Sequence, residues 1–301
     1  MKRYEFCCIG HITLDKVVTP QKTVDMPGGT SYYVSHAVRH LDCSDYLLVT
    51  AVAASEMAVV DDLRAKGVQV TAFQSACSVC FENIYEENQN NRKQRVSAKA
   101  DPFTVEQLND IDAHVFHVGA LLADDFSLDV IKHLSHKGLV SVDSQGYLRE
   151  VRDMQVHAID WKEKREAMKY IHFLKANEYE MEVLTGFSDV FSAARKLYEW
   201  GIKEVLITLG SEGSVLYDGK TFYPIPAYKP TQIVDATGCG DTYMAGYLYQ
   251  RVKGLDMEQA GHFAAALSIL KIEHFGPVQA TNDDVINCMR TAEKNMPYTV
   301  Q

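Results

Sequence analysis

The stretch Asp235-Ala236-Thr237-Gly238-Cys239-Gly240-Asp241-Thr242 holds the residue types and spacing best suited to chemistry. Two glycines flank a small residue, and a carboxylate follows at the start of a helix-like run that reaches residue 253. Glycines remove the side chains that would block a phosphate, and they let the backbone aim successive N–H groups at one point. The helix that follows adds its positive N-terminal end. Donors of this kind stabilise the negative charge on a phosphoryl group in transfer. Asp241, in the first helical turn, can face the same point and take a proton from an attacking hydroxyl. On spacing alone, a tight turn followed by an N-terminal helix charge accounts for the same residues.

Other phosphate and metal motifs are missing. There is no Gly-x-x-x-x-Gly-Lys-Ser/Thr, and Gly238-x-Gly240 lacks a third glycine because Tyr243 stands in its place. A P-loop is therefore excluded, and an NAD-linked oxidoreductase is disfavoured. Cys77 and Cys80 form one Cys-x-x-Cys with no second pair or nearby histidines at zinc spacing, so no metal or redox site is expected there.

These residues must be positioned by a chain of 301 residues, long enough for one large α/β domain or two smaller ones. A net charge of −10 argues against nucleic-acid partners, which need a basic surface. It does not argue against a phosphorylated ligand, since a local site can oppose the overall charge. No apolar run approaches the ~18 residues of a membrane span, and the first residues lack a signal-peptide core. Seven cysteines without framework spacing suit a reduced, cytoplasmic chain with no membrane partner.

Hydrophobic periodicity gives the elements. Strands are expected at 4–10, 46–53, 115–118, 139–143, 171–174, 205–209, 213–217 and 221–225, and Gln232-Ile233-Val234 reads as a strand before the glycine turn. Helices are expected at 30–41, 56–66, 126–136, 178–184, 188–200, up to 253, at 257–272 and from 282. Val68–Phe73, Ser78–Glu86 and Arg92–Ala98, with a turn at 88–91, read as a polar hairpin region standing off the main body. Alternating strands and helices imply a mostly parallel sheet covered on both faces, with ligands at the carboxyl ends of its strands.

Four motifs in order make the chain resemble the ribokinase-like (PfkB) carbohydrate kinases. Asp235-Ala236-Thr237-Gly238-Cys239-Gly240-Asp241 is similar to that family's Asp-Thr-x-Gly-Ala-Gly-Asp. Pro27-Gly28-Gly29 looks like its di-glycine motif, Asn177-Glu178-Tyr179-Glu180 matches Asn-x-x-Glu, and Thr208-Leu209-Gly210-Ser211-Glu212-Gly213 matches Thr-Leu-Gly-x-x-Gly. The order and rough spacing agree over nearly the whole chain. The resemblance implies a single domain over 1–301, a three-layer α/β/α fold with a mostly parallel central sheet, and a small β lid from about 12–25 and 78–99. It implies ATP and Mg²⁺, with Asp241 as catalytic base and the N–H groups of Gly238, Cys239, Gly240 and Asp241 as anion hole. Asn177 and Glu180 would place the metal through water, and Lys175 would reach a phosphate.

The resemblance further implies that Thr208, Gly210 and Gly213 line the nucleotide, with one wall of the adenine pocket from the 262–277 segment, including His274 and Gly276. The acceptor, a small polyol, would lie near Asp15, Gly28 and Gly29. Many family members carry an asparagine where this chain has Tyr33; with the 143–149 segment this leans towards the cyclitol (myo-inositol) kinases, and an aromatic wall would also suit a nucleoside. A monovalent cation near Asp235 and Thr237 and a homodimer through the lid are further family options. Cys239 stands where alanine is usual. A thiol at a helix N-terminus can have a lowered pKa, and a small residue filling space explains it equally well. A non-catalytic sugar or nucleotide sensor on the same fold is the competing class, and the intact Asp241 counts against it.

Overall fold

Short apolar runs without alternation, such as Phe6-Cys7-Cys8-Ile9 and Val205-Leu206-Ile207, are buried on both faces, and that is the pattern of parallel strands covered by helices. The computed structural model, which describes residues 2–18, 23–43, 45–85 and 92–295, places them in a nine-stranded sheet. From one edge its order is Phe222–Ile225, Ser214–Tyr217, Glu204–Thr208, Phe173–Asn177, Leu139–Asp143, Ala113–Val118, Tyr4–Ile9, Tyr46–Ala53 and Gln69–Ser75. The strands from Glu204–Thr208 to Gln69–Ser75 pair in parallel, and the two at the other edge form an antiparallel hairpin.

Two cores sandwich this sheet. One contains apolar residues of the helices Leu128–Ser135, Glu178–Thr185 and Val190–Glu199. The other contains those of Thr30–Arg39, Met57–Ala65, Cys239–Val252, Met257–Ile272 and Asn282–Thr291. The expected three-layer α/β/α arrangement is thus present.

A second sheet has six strands among the described residues, in the order Arg149–Arg152, Gln155–Ala158, Arg92–Ala98, Cys80–Tyr85, Thr13–Val18 and Thr23–Gly28. Three expectations change here. Val68–Phe73 does not belong to the polar region: Gln69–Ser75 pairs in parallel with Tyr46–Ala53 as the edge of the main sheet. The hairpin Arg149–Arg152 with Gln155–Ala158 adds two strands that the sequence reading did not foresee. Gln232-Ile233-Val234 is not a strand, and Ile233 and Val234 are exposed. The turn expected at 88–91, and residues 19–22 of the 12–25 segment, lie outside the described residues. Among the described residues no helix is long and apolar enough to cross a membrane.

Candidate active site

The register of the main sheet brings the candidate residues together. Phe173–Asn177 pairs with Leu139–Asp143 so that Lys175 lies opposite Asp143, and with Glu204–Thr208 so that Asn177 lies opposite Thr208. All four line one cleft of about 970 Å³. The cleft also takes in Asp15 and Gly29 from the second sheet and its exit, Gly210 and Gly213, and the whole Asp235–Asp241 turn. It lies at the carboxyl ends of the parallel strands, as expected for such a sheet.

Gly238 caps the helix Cys239–Val252 in the left-handed region, with φ 76°. A Cβ there would fall 2.3 Å from the Tyr33 ring, so only glycine lets the turn close onto that ring. Among the described residues no acceptor is bonded to the N–H groups of Gly238, Gly240 or Asp241, which are therefore available to an anion. Cys239 differs from expectation in this respect. Its N–H donates to the carbonyl of Ala236 at 3.2 Å, so it is not one of the donors. Its Sγ lies 3.8 Å from the Ser268 carbonyl, and burial pushes the thiol up to about 11. The helix N-terminus does not make it a thiolate, and the side chain fills space.

Asp241 is partly exposed to the cleft, and its carboxyl is pushed up to about 6. Burial is the main cause, the Asp143 charge adds to it, and a hydrogen bond with the Thr30 side chain, Lys175 and Arg149 oppose it. Thr30 was not foreseen, although it directly follows Gly29. Lys175 is buried and its ammonium donates to Asp143 Oδ2 at 2.8 Å. Burial alone would lower its pKa; Asp143, Glu180 and Asp241 outweigh that and keep it cationic. Its Nζ lies 3.0 Å from where a Cβ on Gly240 would stand, so the cation abuts the vacant N–H groups.

Asn177 and Glu180 form a reciprocal cap at the start of Glu178–Thr185. Asn177 Oδ1 accepts from the N–H groups of Tyr179 and Glu180, and Glu180 accepts from the Asn177 N–H at 2.9 Å and from Ser144 Oγ at 3.2 Å. Glu180 is buried and its carboxyl raised, chiefly by burial, with Lys175 opposing. It stands behind the cleft wall, where Asn177 and Glu178 are the surface residues. The donor set is all oxygen and already engaged, which fits an Mg²⁺ that keeps its waters and is reached through them.

At the other end of the turn, Asp235 accepts at Oδ1 from the Thr237 N–H and at Oδ2 from the buried Lys271 ammonium at 2.9 Å and the Gly276 N–H at 3.3 Å. Burial would raise the Asp235 carboxyl, but Lys271 and the N–H of Thr237 hold it below the usual range. His274 and Gly276 are off the cleft wall: the His274 carbonyl accepts from Lys271, and Gly276 binds Asp235. The wall that the 262–277 segment does supply comes from Ala265, Ser268, Ile269 and Phe275. Val234 and Phe275 are exposed apolar residues, 48% and 69%, on the rim of that wall.

The opposite end of the cleft mixes polar side chains with the apolar Met26, Phe81 and Leu121. Asp15, Asn83, Gln94, Gln145 and Arg149 face it, with Gln94 Nε2 donating to Asn83 Oδ1 at 3.0 Å. Asn83 and Gln94 were not singled out from sequence; they carry no motif, and only the pairing of Cys80–Tyr85 with Arg92–Ala98 puts them side by side. Gly28 lies under Asp15, where a Cβ would fall 2.8 Å from Oδ2. Tyr33 is buried, its ring against Gly238 and 5.8 Å below the Lys271 ammonium, so it supports the glycine turn.

The chain matches the pfkB family carbohydrate kinases over residues 50–284. The cytidine kinase of Thermococcus kodakarensis is 29% identical over 83% of this chain and 90% of its own length. A pyrophosphate-dependent kinase in the ribokinase family, solved with a pyrophosphate analog and myo-inositol, superposes with a TM-score of 0.81 at 28% identity, covering 94% of this chain and 99% of that one. A second similar structure, TM-score 0.81 at 26% identity over 94% and 98% of the two chains, is a pyrophosphate-dependent myo-inositol-1 kinase converted into a myo-inositol-3 kinase by changing an asparagine and a serine, eleven positions apart, to leucine. With the ribokinase fold, the four motifs on one cleft and these relatives, the chain belongs to the PfkB family of carbohydrate kinases and is a phosphotransferase with an alcohol group of a small sugar-like molecule as acceptor.

Proposed function

We propose that the enzyme transfers the γ-phosphoryl group of ATP directly to a hydroxyl of a small polyol, with Asp241 as general base. The observation that carries this is the junction at residue 241. A carboxylate pushed up to about 6 stands beside three vacant N–H donors and the Lys175 cation. Asp241 takes the hydroxyl proton as the oxygen attacks the phosphorus, while Gly238, Gly240 and Asp241 N–H groups and Lys175 hold the phosphoryl oxygens. Mg²⁺, held through water by Asn177 and Glu180, would neutralise charge on the donor phosphates. The second sheet acts as a lid, and its closure keeps water from taking the phosphoryl group.

Two donors come into question, because the relatives of known structure include pyrophosphate-dependent kinases. The apolar wall of Val234, Ala265, Ile269 and Phe275 beyond the anion hole favours ATP, since pyrophosphate has no part that would bury it. For the acceptor, the Asp15, Asn83, Gln94 and Arg149 surface supports a ring of hydroxyls, each able to donate and accept. Tyr33 lines the cleft with its ring turned against Gly238, and Met26, Phe81 and Leu121 leave an apolar surface there, so a nucleoside is the second reading. Asn83 and Gln94 have the same spacing of eleven as the pair that sets the phosphorylated position in the myo-inositol kinase. A free monovalent cation has no part in this proposal.

The test is donor consumption with ATP and with pyrophosphate across sugars, cyclitols and nucleosides. Turnover of ATP with a polyol is expected. Pyrophosphate as the faster donor would overturn the donor assignment, and no turnover with any pair would favour a sensor.

A further inference from the structure

Lys271 sits where a folding argument alone would put an apolar residue. It follows Ala260, Ala264 and Leu267 on one stripe of Met257–Ile272, all four completely buried. Lysine is almost never buried without partners, and here the partners all belong to the glycine turn and the loop beside it. Its ammonium donates to the Asp235 carbonyl at 2.8 Å, to Asp235 Oδ2 at 2.9 Å and to the His274 carbonyl at 3.4 Å. Its fourth side faces the Tyr33 ring at 5.8 Å, and that same ring packs on Gly238. The surrounding backbone closes on the same point: the N–H groups of Val234 and Asp235 donate to the Ile272 carbonyl at 2.9 and 3.1 Å. Asp235 in turn holds Thr237 through its N–H at 2.9 Å.

A carboxylate, two carbonyls and an aromatic face are also the surroundings that a dehydrated potassium ion would accept, and ammonium is close to it in size. We propose that Lys271 is a built-in cation that takes the place of a free monovalent ion: it positions the anion hole through Asp235, Thr237 and Tyr33, and frees turnover from potassium or sodium in the medium. Lys271 is not on the cleft wall and touches no reacting group, so it is a positioning residue. The inference rests on reading the Gly238–Asp241 turn as the site of phosphoryl transfer. It goes further in saying why this turn keeps its shape with no ion from solution.

The test begins with the wild-type enzyme in tetramethylammonium buffer, with potassium, sodium or ammonium added. The rate should stay within about twofold across the series, a coupling well below the 5–150-fold typical of linked sites. Activation beyond about fivefold by any of these ions overturns the proposal. The second measurement uses Lys271→Ala. Its kcat should fall at least about tenfold, and ammonium, methylammonium or potassium should recover at least about fivefold of it, because the vacated space still presents the same oxygens. A merely structural lysine would lower Tm with no recovery by cations; a folded variant, checked by circular dichroism, that keeps its kcat or is recovered by none of the three ions overturns the proposal. Should Lys271→Ala not fold, the wild-type series decides alone. If the wild type turns over no donor, the reading of the site fails separately, and calorimetric ATP binding with and without potassium gives the same comparison: equal affinity supports the built-in cation, and dependence on potassium overturns it.

Discussion

Asp241 is a carboxylate held against the stability of its own fold, and this can be measured. Its pKa is moved from 3.8 to about 6, mainly by burial. Between those two pH values the folded chain keeps a proton that the unfolded chain has released. The stabilisation is therefore complete below the unfolded value and lost as pH rises through about 6, so at neutral pH the ionised group opposes folding. A shift of about two units, at about 1.36 kcal/mol each, sets a ceiling of about 3 kcal/mol. Asp241→Asn keeps the shape and removes the charge. With an unfolding entropy of about 2.1 cal/mol/K per residue, that ceiling is roughly 5 °C in Tm for a chain of this length.

Scanning calorimetry of the two proteins at a series of pH values is the assay, with kcat measured in parallel. Asp241→Asn should melt roughly 3–5 °C above wild type at about pH 7.5. The gap should narrow as the pH falls through about 6 and close below the unfolded value of 3.8, where both proteins are neutral at this position. In the same variant kcat should fall by about 10²–10⁴, the usual contribution of a general base. An equal or lower Tm at neutral pH, a gap that does not change with pH, or a kcat within about tenfold of wild type would refute the reasoning, each at a different link.

Other outcomes follow from the same geometry. In the wild type, log kcat/KM should drop with unit slope as pH falls below about 6, since the free enzyme's base must be ionised; a break near the ordinary carboxylate value would remove burial as the tuning device. Gly238→Ala, at φ 76° and with a Cβ 2.3 Å from the Tyr33 ring, should lose about 2 kcal/mol or more in denaturant melts. Adding Tyr33→Ala should recover part of that relative to the two single losses, and strict additivity would sink the packing argument. Iodoacetamide should label exposed Cys77 well before Cys239, whose thiol is pushed up to about 11, as followed by peptide mass spectrometry; rapid labelling of Cys239 that ATP prevents would restore a reactive thiol. Asn83→Leu with Gln94→Leu should change which acceptor hydroxyl is phosphorylated, read by NMR of the product, and an unchanged product with unchanged KM would exclude the pair from acceptor selection.

What could be read in the sequence, and what could not, divides along physical lines. The main sheet was legible because each parallel strand is a short run of apolar residues, and the register then delivers Lys175 to Asp143 and Asn177 to Thr208 without further information. The hairpin Arg149–Arg152 with Gln155–Ala158 was not legible, and its turn explains why. Asp153 and Met154 adopt φ 50° and 62°, left-handed positions that tight hairpins usually give to asparagine and glycine, so the expected turn signal is missing. Gln232-Ile233-Val234 misled in the opposite direction: an apolar triplet looked like a buried strand, whereas Ile233 is 75% exposed and Val234 lines the cleft. Lys271 was present in plain text as one charge on an apolar stripe, yet nothing in the chain order says that its tip meets Asp235 across 36 positions.

The misreading of Gln232-Ile233-Val234 and the silence on Lys271 share a cause. Folding rules assign apolar residues to the core and charges to the surface, and a group of residues that break the rule stands at the cleft, although Asp125 and Glu204 are buried and Leu139, Val183 and Phe187 are exposed away from it. Lys175 and Asp143 are buried charges in contact with Glu180 buried close by, Lys271 is buried against Asp235, and Val234 and Phe275 are exposed apolar groups on the rim of the same cleft. A sequence optimised only to fold would exchange the two sets. On the proposed function the exchange has not happened because Lys175 would face the donor's phosphates and the exposed apolar groups its base. Locating such inversions, a lone lysine on an alanine stripe or an isoleucine-valine pair before a glycine turn, is therefore a better guide to this site than strand and helix assignment was.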